Sequence, residues 1–138
     1  MEASKINYIP PIFVSHGGGP LPILGDKSHS EMIRHIKKIP TMIPKPNKIL
    51  IISAHWEESE FTIFDNPNPE LLYDYYGFPE ESYNLNYPIK LASDLNKSLS
   101  EIFEKKNIIY KKSQSRNFDH GVFIPLMLMY PQLDIPVS

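Results

Sequence analysis

The chain has 138 residues, of which 41% are hydrophobic and 22% charged, ordinary globular usage with room for one domain that buries roughly two thirds of its unfolded surface. A net charge of −2 offers nucleic acid or an anionic membrane no general attraction. The absence of cysteine excludes disulfides and thiolate ligands, so a metal must be held by histidine, aspartate or glutamate.

Proline stands out with 14 copies, roughly twice the usual share, which favours fixed turns and short elements over long helices. The opening stretch MEASKINYIPPIFVSHGGG lacks the basic start, apolar run and small-residue cleavage site of a secretory leader. No segment is long enough to span a bilayer. One domain over residues 1–138, cytoplasmic and without membrane or nucleic-acid partners, is the expectation.

In chain order, residues 9–15 (IPPIFVS) read as a buried strand ended by the glycines of His16-Gly17-Gly18-Gly19. Ser28 and Glu31 stand at capping-box spacing, and Met32, Ile33, Ile36 and Ile39 follow at helical intervals. That pattern predicts a helix over 29–39 ended by Pro40. The connector TMIPKPN leads into KILIISAHW, whose continuous run at 49–52 suits a strand covered on both faces. Two strands around a helix make a β-α-β unit with His16 and His55 at carboxyl ends, where open α/β sheets gather their ligands. Residues 61–64 are expected to add a short strand. The stretch NPNPELLYDYYGFPEESYNLNYP is long, aromatic and turn-rich, more a binding loop than a linker. Leu91, Leu95, Leu99, Ile102 and Phe103 share one face and predict a helix over 90–104. A short strand around 108–110 and the apolar segment FDHGVFIPLMLMYP follow. The whole describes an α/β fold with a central mixed, partly parallel sheet flanked by helices.

Three of the five histidines lie beside glycine or at the end of an apolar run: His16, His55 and His120. The glycines after His16 let the backbone turn tightly and keep bulk away from the imidazole, which suits a ligand with open coordination. A tight turn whose histidine merely caps the strand fits the same residues. His55, before Trp56 and Glu57, has equivalent geometry and alone is equally a core histidine, but two such strand ends can bring both imidazoles to one metal. His120 lies between Asp119 and Gly121, where it suits general acid/base work or simply a loop histidine opening the apolar run 122–130, and Asp119 can fix the tautomer of a nearby imidazole. Glu57 and Glu58 are candidate supporting oxygens or solvated loop carboxylates. His29 and His35 sit among Lys and Ser and read as a solvated face. An HGGG segment after a strand also occurs in esterases, yet no G-x-S-x-G accompanies it here. Walker A and G-x-G-x-x-G sequences are absent too, so no nucleotide cofactor is expected.

Four stretches in order, PIFVSHGGGP, PKPNKILIISAHWEE, YDYYGFPEESYNLNYP and FDHGVFIPLMLMYPQLDIPV, resemble the class III extradiol ring-cleaving dioxygenases, specifically the 4,5-DOPA extradiol dioxygenase group. The resemblance implies an α/β sandwich and a mononuclear Fe(2+) or Zn(2+) held by His16 and His55 among its ligands. It implies His120 in the substrate pocket, moving protons or orienting substrate and oxygen, with Tyr76, Phe78 and Asp119 helping to shape that pocket. The implied reaction opens a catechol such as L-DOPA with dioxygen beside its paired hydroxyls, giving a muconic semialdehyde. Gly18 and Gly19 stand where the family often has Ser-Pro, an expected loosening of the loop that aims His16. Family members are roughly twice this long and take a further metal ligand and another active-site histidine from their C-terminal half. The expectation is therefore an incomplete catalytic-type domain, with a non-catalytic remnant or metal-binding protein of the same fold as the alternative.

Overall fold

The computed structural model describes residues 9–132 and 134–138. The reading of the amino terminus as leader-free falls largely on residues 1–8, outside the described residues. Strand β1 (Phe61–Phe64) and strand β2 (Tyr110–Ser113) pair in parallel, Phe61 opposite Tyr110 and Phe64 opposite Ser113. Parallel neighbours need a crossover, and helix α2 (Ser93–Lys105) lies between them in the chain. Val137 forms parallel bridges to both Ile49 and Leu91. Hydrogen bonds of 2.8–3.0 Å hold it there, among them Ile51 N to Ser138 O, Ala92 N to Val137 O and Val137 N to Lys90 O. Leu71 bridges Phe118 in the same sense. Every pairing among the described residues is parallel, and the α/β class is what they show.

Helix α1 (Ser30–Met42) and helix α3 (His120–Met129) complete the α-helices among the described residues, with 3-10 turns at Lys27–His29 and Glu80–Tyr83. α3 is apolar on all sides, HGVFIPLMLM, so it has no face to give to water and occupies the centre. Phe123, Ile124 and Leu126 are wholly buried there, packed with Ile36 of α1 and with Phe64, Tyr75, Tyr87, Phe118 and Val137. No helix among the described residues is long and apolar enough to cross a membrane.

Several expectations change. Residues 9–15 form no ladder among the described residues: Pro10 and Pro11 have no N–H to donate, and Phe13 is fully exposed rather than buried. Among the described residues the run 49–52 pairs only with 136–138, and Leu50 and Ile52 are exposed rather than covered. The β-α-β unit is therefore β1-α2-β2 and not the segment joining His16 to His55. α1 passes through Pro40, which lies in its last turn, where the Thr41 hydroxyl donates to the Lys38 carbonyl at 2.7 Å. The capping box does not form, because the Ser28 hydroxyl is given to Asp26. α2 begins at Ser93 rather than 90, since residues 90–92 are engaged with Val137. Asn107, in the left-handed region at φ 54°, closes α2 and delays β2 to 110–113. α3 carries no helical signal in the sequence, for Pro125 stands in its middle.

Candidate metal centre

Three separate segments deliver one imidazole each to a single spot. One ligand nitrogen from each of His16, His55 and His120 lies within 4.8 Å of the others, and the ring centroids are 4.2–4.8 Å apart. His16 Nε2 and His55 Nε2 stand 2.7 Å apart. His120 is buried, His16 half-buried and His55 exposed, so the cluster opens to solvent on the His55 side.

His120 is the first residue of α3 and is held by Asp74. Asp74 Oδ1 accepts both the His120 backbone N–H at 3.0 Å and the ring Nδ1–H at 2.7 Å. A carboxylate only accepts, so the ring hydrogen is on Nδ1 and Nε2 keeps its lone pair. Burial works to raise the Asp74 carboxyl, but the backbone and ring N–H of His120 outweigh it and hold the group below its ordinary value.

His55 is set by the residues around Asp119. Ser53 Oγ donates to Asp119 Oδ1 at 2.7 Å and accepts the His55 backbone N–H at 3.1 Å. Arg116 Nη2 reaches Asp119 Oδ2 at 3.3 Å and the His55 carbonyl at 3.2 Å, with its guanidinium 5.5 Å from the centre of the Trp56 ring. Gly121 has to be glycine for packing reasons. A Cβ there would lie 2.7 Å from His55 Cδ2 and 2.9 Å from Ser53 Oγ, so the D-H-G and S-A-H-W segments touch backbone to ring.

His16 enters through a stretch without ladder pairing among the described residues and turns at Gly17 (φ 78°) and Gly19 (φ 53°), both in the left-handed region that glycine occupies without penalty. Gly19 lies against the Phe78 ring, whose Cζ would be 3.0 Å from an added Cβ. The loop is thus packed rather than loose. Burial first, then the neighbouring His120 and His55, push His16 below its ordinary histidine value, which keeps it neutral at neutral pH.

Imidazoles converging without thiolates fit a borderline divalent cation. Two nitrogens on one tetrahedral metal, each at about 2.0–2.1 Å, are about 3.4 Å apart, so the His16–His55 contact would open by less than about 1 Å to accept it. Among the described residues the buried His16 Nδ1 has no hydrogen-bond partner, so the ring is held only by the Nε2 contact with His55 that the metal would replace.

Of the residues singled out in the sequence, His16, His55 and His120 come together. Asp119 is buried beside them but grips Ser53 and Arg116, while Asp74 is the carboxylate on an imidazole. Phe78 flanks the His16 loop. Tyr76 is 91% exposed, and the tyrosine packed on the cluster is Tyr75, its ring 5.6 Å from that of His120. Glu57 is exposed, and Glu58 pairs with Lys111 and the Trp56 ring N–H. Asp74, Ser53 and Arg116 were not foreseen. For Asp74 one signal existed: a lone carboxylate among the aromatics of YDYYGF is an acceptor in a segment otherwise poor in polar groups.

A family model described as the catalytic LigB subunit of aromatic ring-opening dioxygenase matches residues 2–138. The chain is 37% identical to dioxygenase tasH of Hapsidospora irregularis over 98% of its own length and 44% of that protein. It is 31% identical to the 4,5-DOPA dioxygenase extradiol of Beta vulgaris, covering 97% of this chain and 50% of the relative. A 4,5-DOPA dioxygenase extradiol-like protein of Schizosaccharomyces pombe is also 31% identical, over 94% and 49% respectively. The chain spans about half the length of the curated relatives it matches.

Proposed function

This chain belongs to the LigB family of aromatic ring-opening dioxygenase catalytic subunits, and from that premise we propose that it takes part in the extradiol opening of a catechol such as L-DOPA by dioxygen. His16 and His55 hold a divalent metal, and His120 handles protons. Bound there, iron(II) supplies the electron exchange between ring and dioxygen that redox-inert zinc does not. The observation that carries the reading is the convergence of the three imidazoles on one spot, one of them pinned by a carboxylate.

The roles of this chain's residues follow from that arrangement. Asp74 takes the His120 Nδ1–H, leaving Nε2 to accept a proton from a catechol hydroxyl. Asp119, through Ser53, and Arg116 hold the backbone of His55. Phe78 forms an apolar wall beside the His16 loop, and the exposed Tyr76 ring is free to cover a flat aromatic substrate.

The test is anaerobic loading with iron(II), then oxygen and L-DOPA. A yellow semialdehyde chromophore is expected, and its absence from folded, metal-loaded protein sinks the ring-cleavage reading. A second reading, metal binding on this fold without ring cleavage, rests on the three converging imidazoles alone. Tight one-to-one zinc binding in calorimetry, abolished by His16→Ala and unaccompanied by product, selects it. No zinc binding at all removes both.

A further inference from the structure

We propose that His29 is the positioning residue of the His16 loop, linking Asp26 to the Gly18 amide and so holding the backbone that aims His16 at His55. The inference rests on the reading of His16 as a metal ligand. Asp26 Oδ2 accepts from His29 Nδ1 at 2.7 Å. The Ser28 hydroxyl bonds the same oxygen and lies 3.1 Å from Nδ1. The carboxylate therefore puts the ring hydrogen on Nδ1 and leaves Nε2 a bare lone pair. That lone pair accepts the Gly18 N–H at 3.1 Å, two residues beyond His16. With the opposite tautomer two donors would face each other and the link would be lost. The Ser28 hydroxyl first, and then His29, hold the Asp26 carboxyl below its ordinary value, which keeps it an acceptor.

Packing repeats the same message. A Cβ on Gly17 would lie 2.6 Å from His29 Cδ2, so the glycine backbone runs flush against the His29 ring while Phe78 closes on Gly19 from its own side. The loop needs such a grip. Residues 9–17 form no ladder among the described residues, and glycines at positive φ have the widest freedom of any residue. Besides the ring contact of His16 with His55, the other hydrogen bonds described for residues 15–19 are local ones, Gly17 N to Ser15 Oγ at 3.4 Å and Leu21 N to Gly18 O at 3.2 Å. His29 is a firm anchor, since it ends the 3-10 turn Lys27–His29 and leads directly into α1, whose Ile36 is in the core. Its side chain is only 19% exposed, which limits competition from water.

The test compares the full chain with His29→Leu and His29→Gln, the latter offering an acceptor oxygen at similar reach. Hydrogen exchange at the Gly18 amide, read by NMR without metal, is expected to be roughly three- to tenfold faster in His29→Leu and close to wild type in His29→Gln. Zinc affinity is expected to fall about tenfold in His29→Leu and recover in part in His29→Gln, with the two variants melting at the same temperature. Unchanged Gly18 exchange in His29→Leu overturns the proposal. So does an equal loss of affinity in both variants that merely follows a loss of melting temperature. If the wild-type chain binds no zinc, the metal-centre reading fails, and the exchange comparison alone decides whether His29 orders the loop.

Discussion

Asp74 Oδ1 accepts two hydrogen bonds from one residue, the His120 backbone N–H and its ring N–H, so it both caps the start of α3 and fixes a tautomer. Asp74→Ala leaves both donors without a partner at a buried helix terminus, a cost of about 1–3 kcal/mol. Asp74→Asn keeps an acceptor oxygen and should cost less. Urea unfolding of the two variants checks the order, and equal losses would mean that the charge, not the bond, is what matters. The histidines were legible because glycine and apolar runs flag a side chain facing a turn at the end of a packed segment. Their supports were not, because Asp74 lies 46 residues from His120 and nothing local in YDYYGF says which donor it meets. His29 read as a solvated side chain for a similar reason: its neighbours Lys27 and Ser28 are polar, and its bond to Gly18 spans eleven residues.

At the level of elements, β1 was legible because FTIF is a compact β-prone run, and α2 because its leucines recur on one face. The strand expected at 9–15 and the missing helical signal of α3 share a cause: proline and continuous apolarity remove the periodicity that separates helix from strand. The loop between β1 and α2 is ordered by tyrosines. The Tyr73 hydroxyl donates to the Leu85 carbonyl at 2.9 Å, and that of Tyr75 to the Ser82 carbonyl at 2.5 Å. Burial, then the neighbouring Tyr73 and Tyr83, raise the Tyr75 phenol from 10.0 to about 12. The folded state therefore keeps a proton that the unfolded chain gives up above pH 10. Stability from this group is fully present below pH 10 and is lost as pH rises towards 12. Alkaline titration followed at the phenolate absorbance should show Tyr75→Phe removing a late-ionising group and flattening the fall in stability over that interval. A profile identical to wild type would assign the fall to other tyrosines.

For the molecule as a whole, α3 at the centre and parallel pairings around it account for the α/β class read from alternating elements. What pattern alone did not disclose is which apolar side chains stay outside. Phe13 and Ile52 are 101% and 92% exposed, beside the two segments that carry His16 and His55. Exposed apolar side chains next to unpaired backbone favour self-association. Ile52→Ser should therefore lower the oligomeric fraction in sedimentation while leaving the melting temperature within about 1–2 °C. A large drop in melting temperature would mean that Ile52 supports the fold after all. The same concern applies more sharply to α3 before it is packed, since residues 122–130 are an unbroken apolar run without charge. In an unfolded chain such a run is the raw material of cross-β stacking, and Pro125 in its middle cannot donate to a strand ladder. The proline that disguises this helix in the sequence thus also protects the nascent chain: it costs the folded helix one backbone hydrogen bond and blocks a route to aggregates.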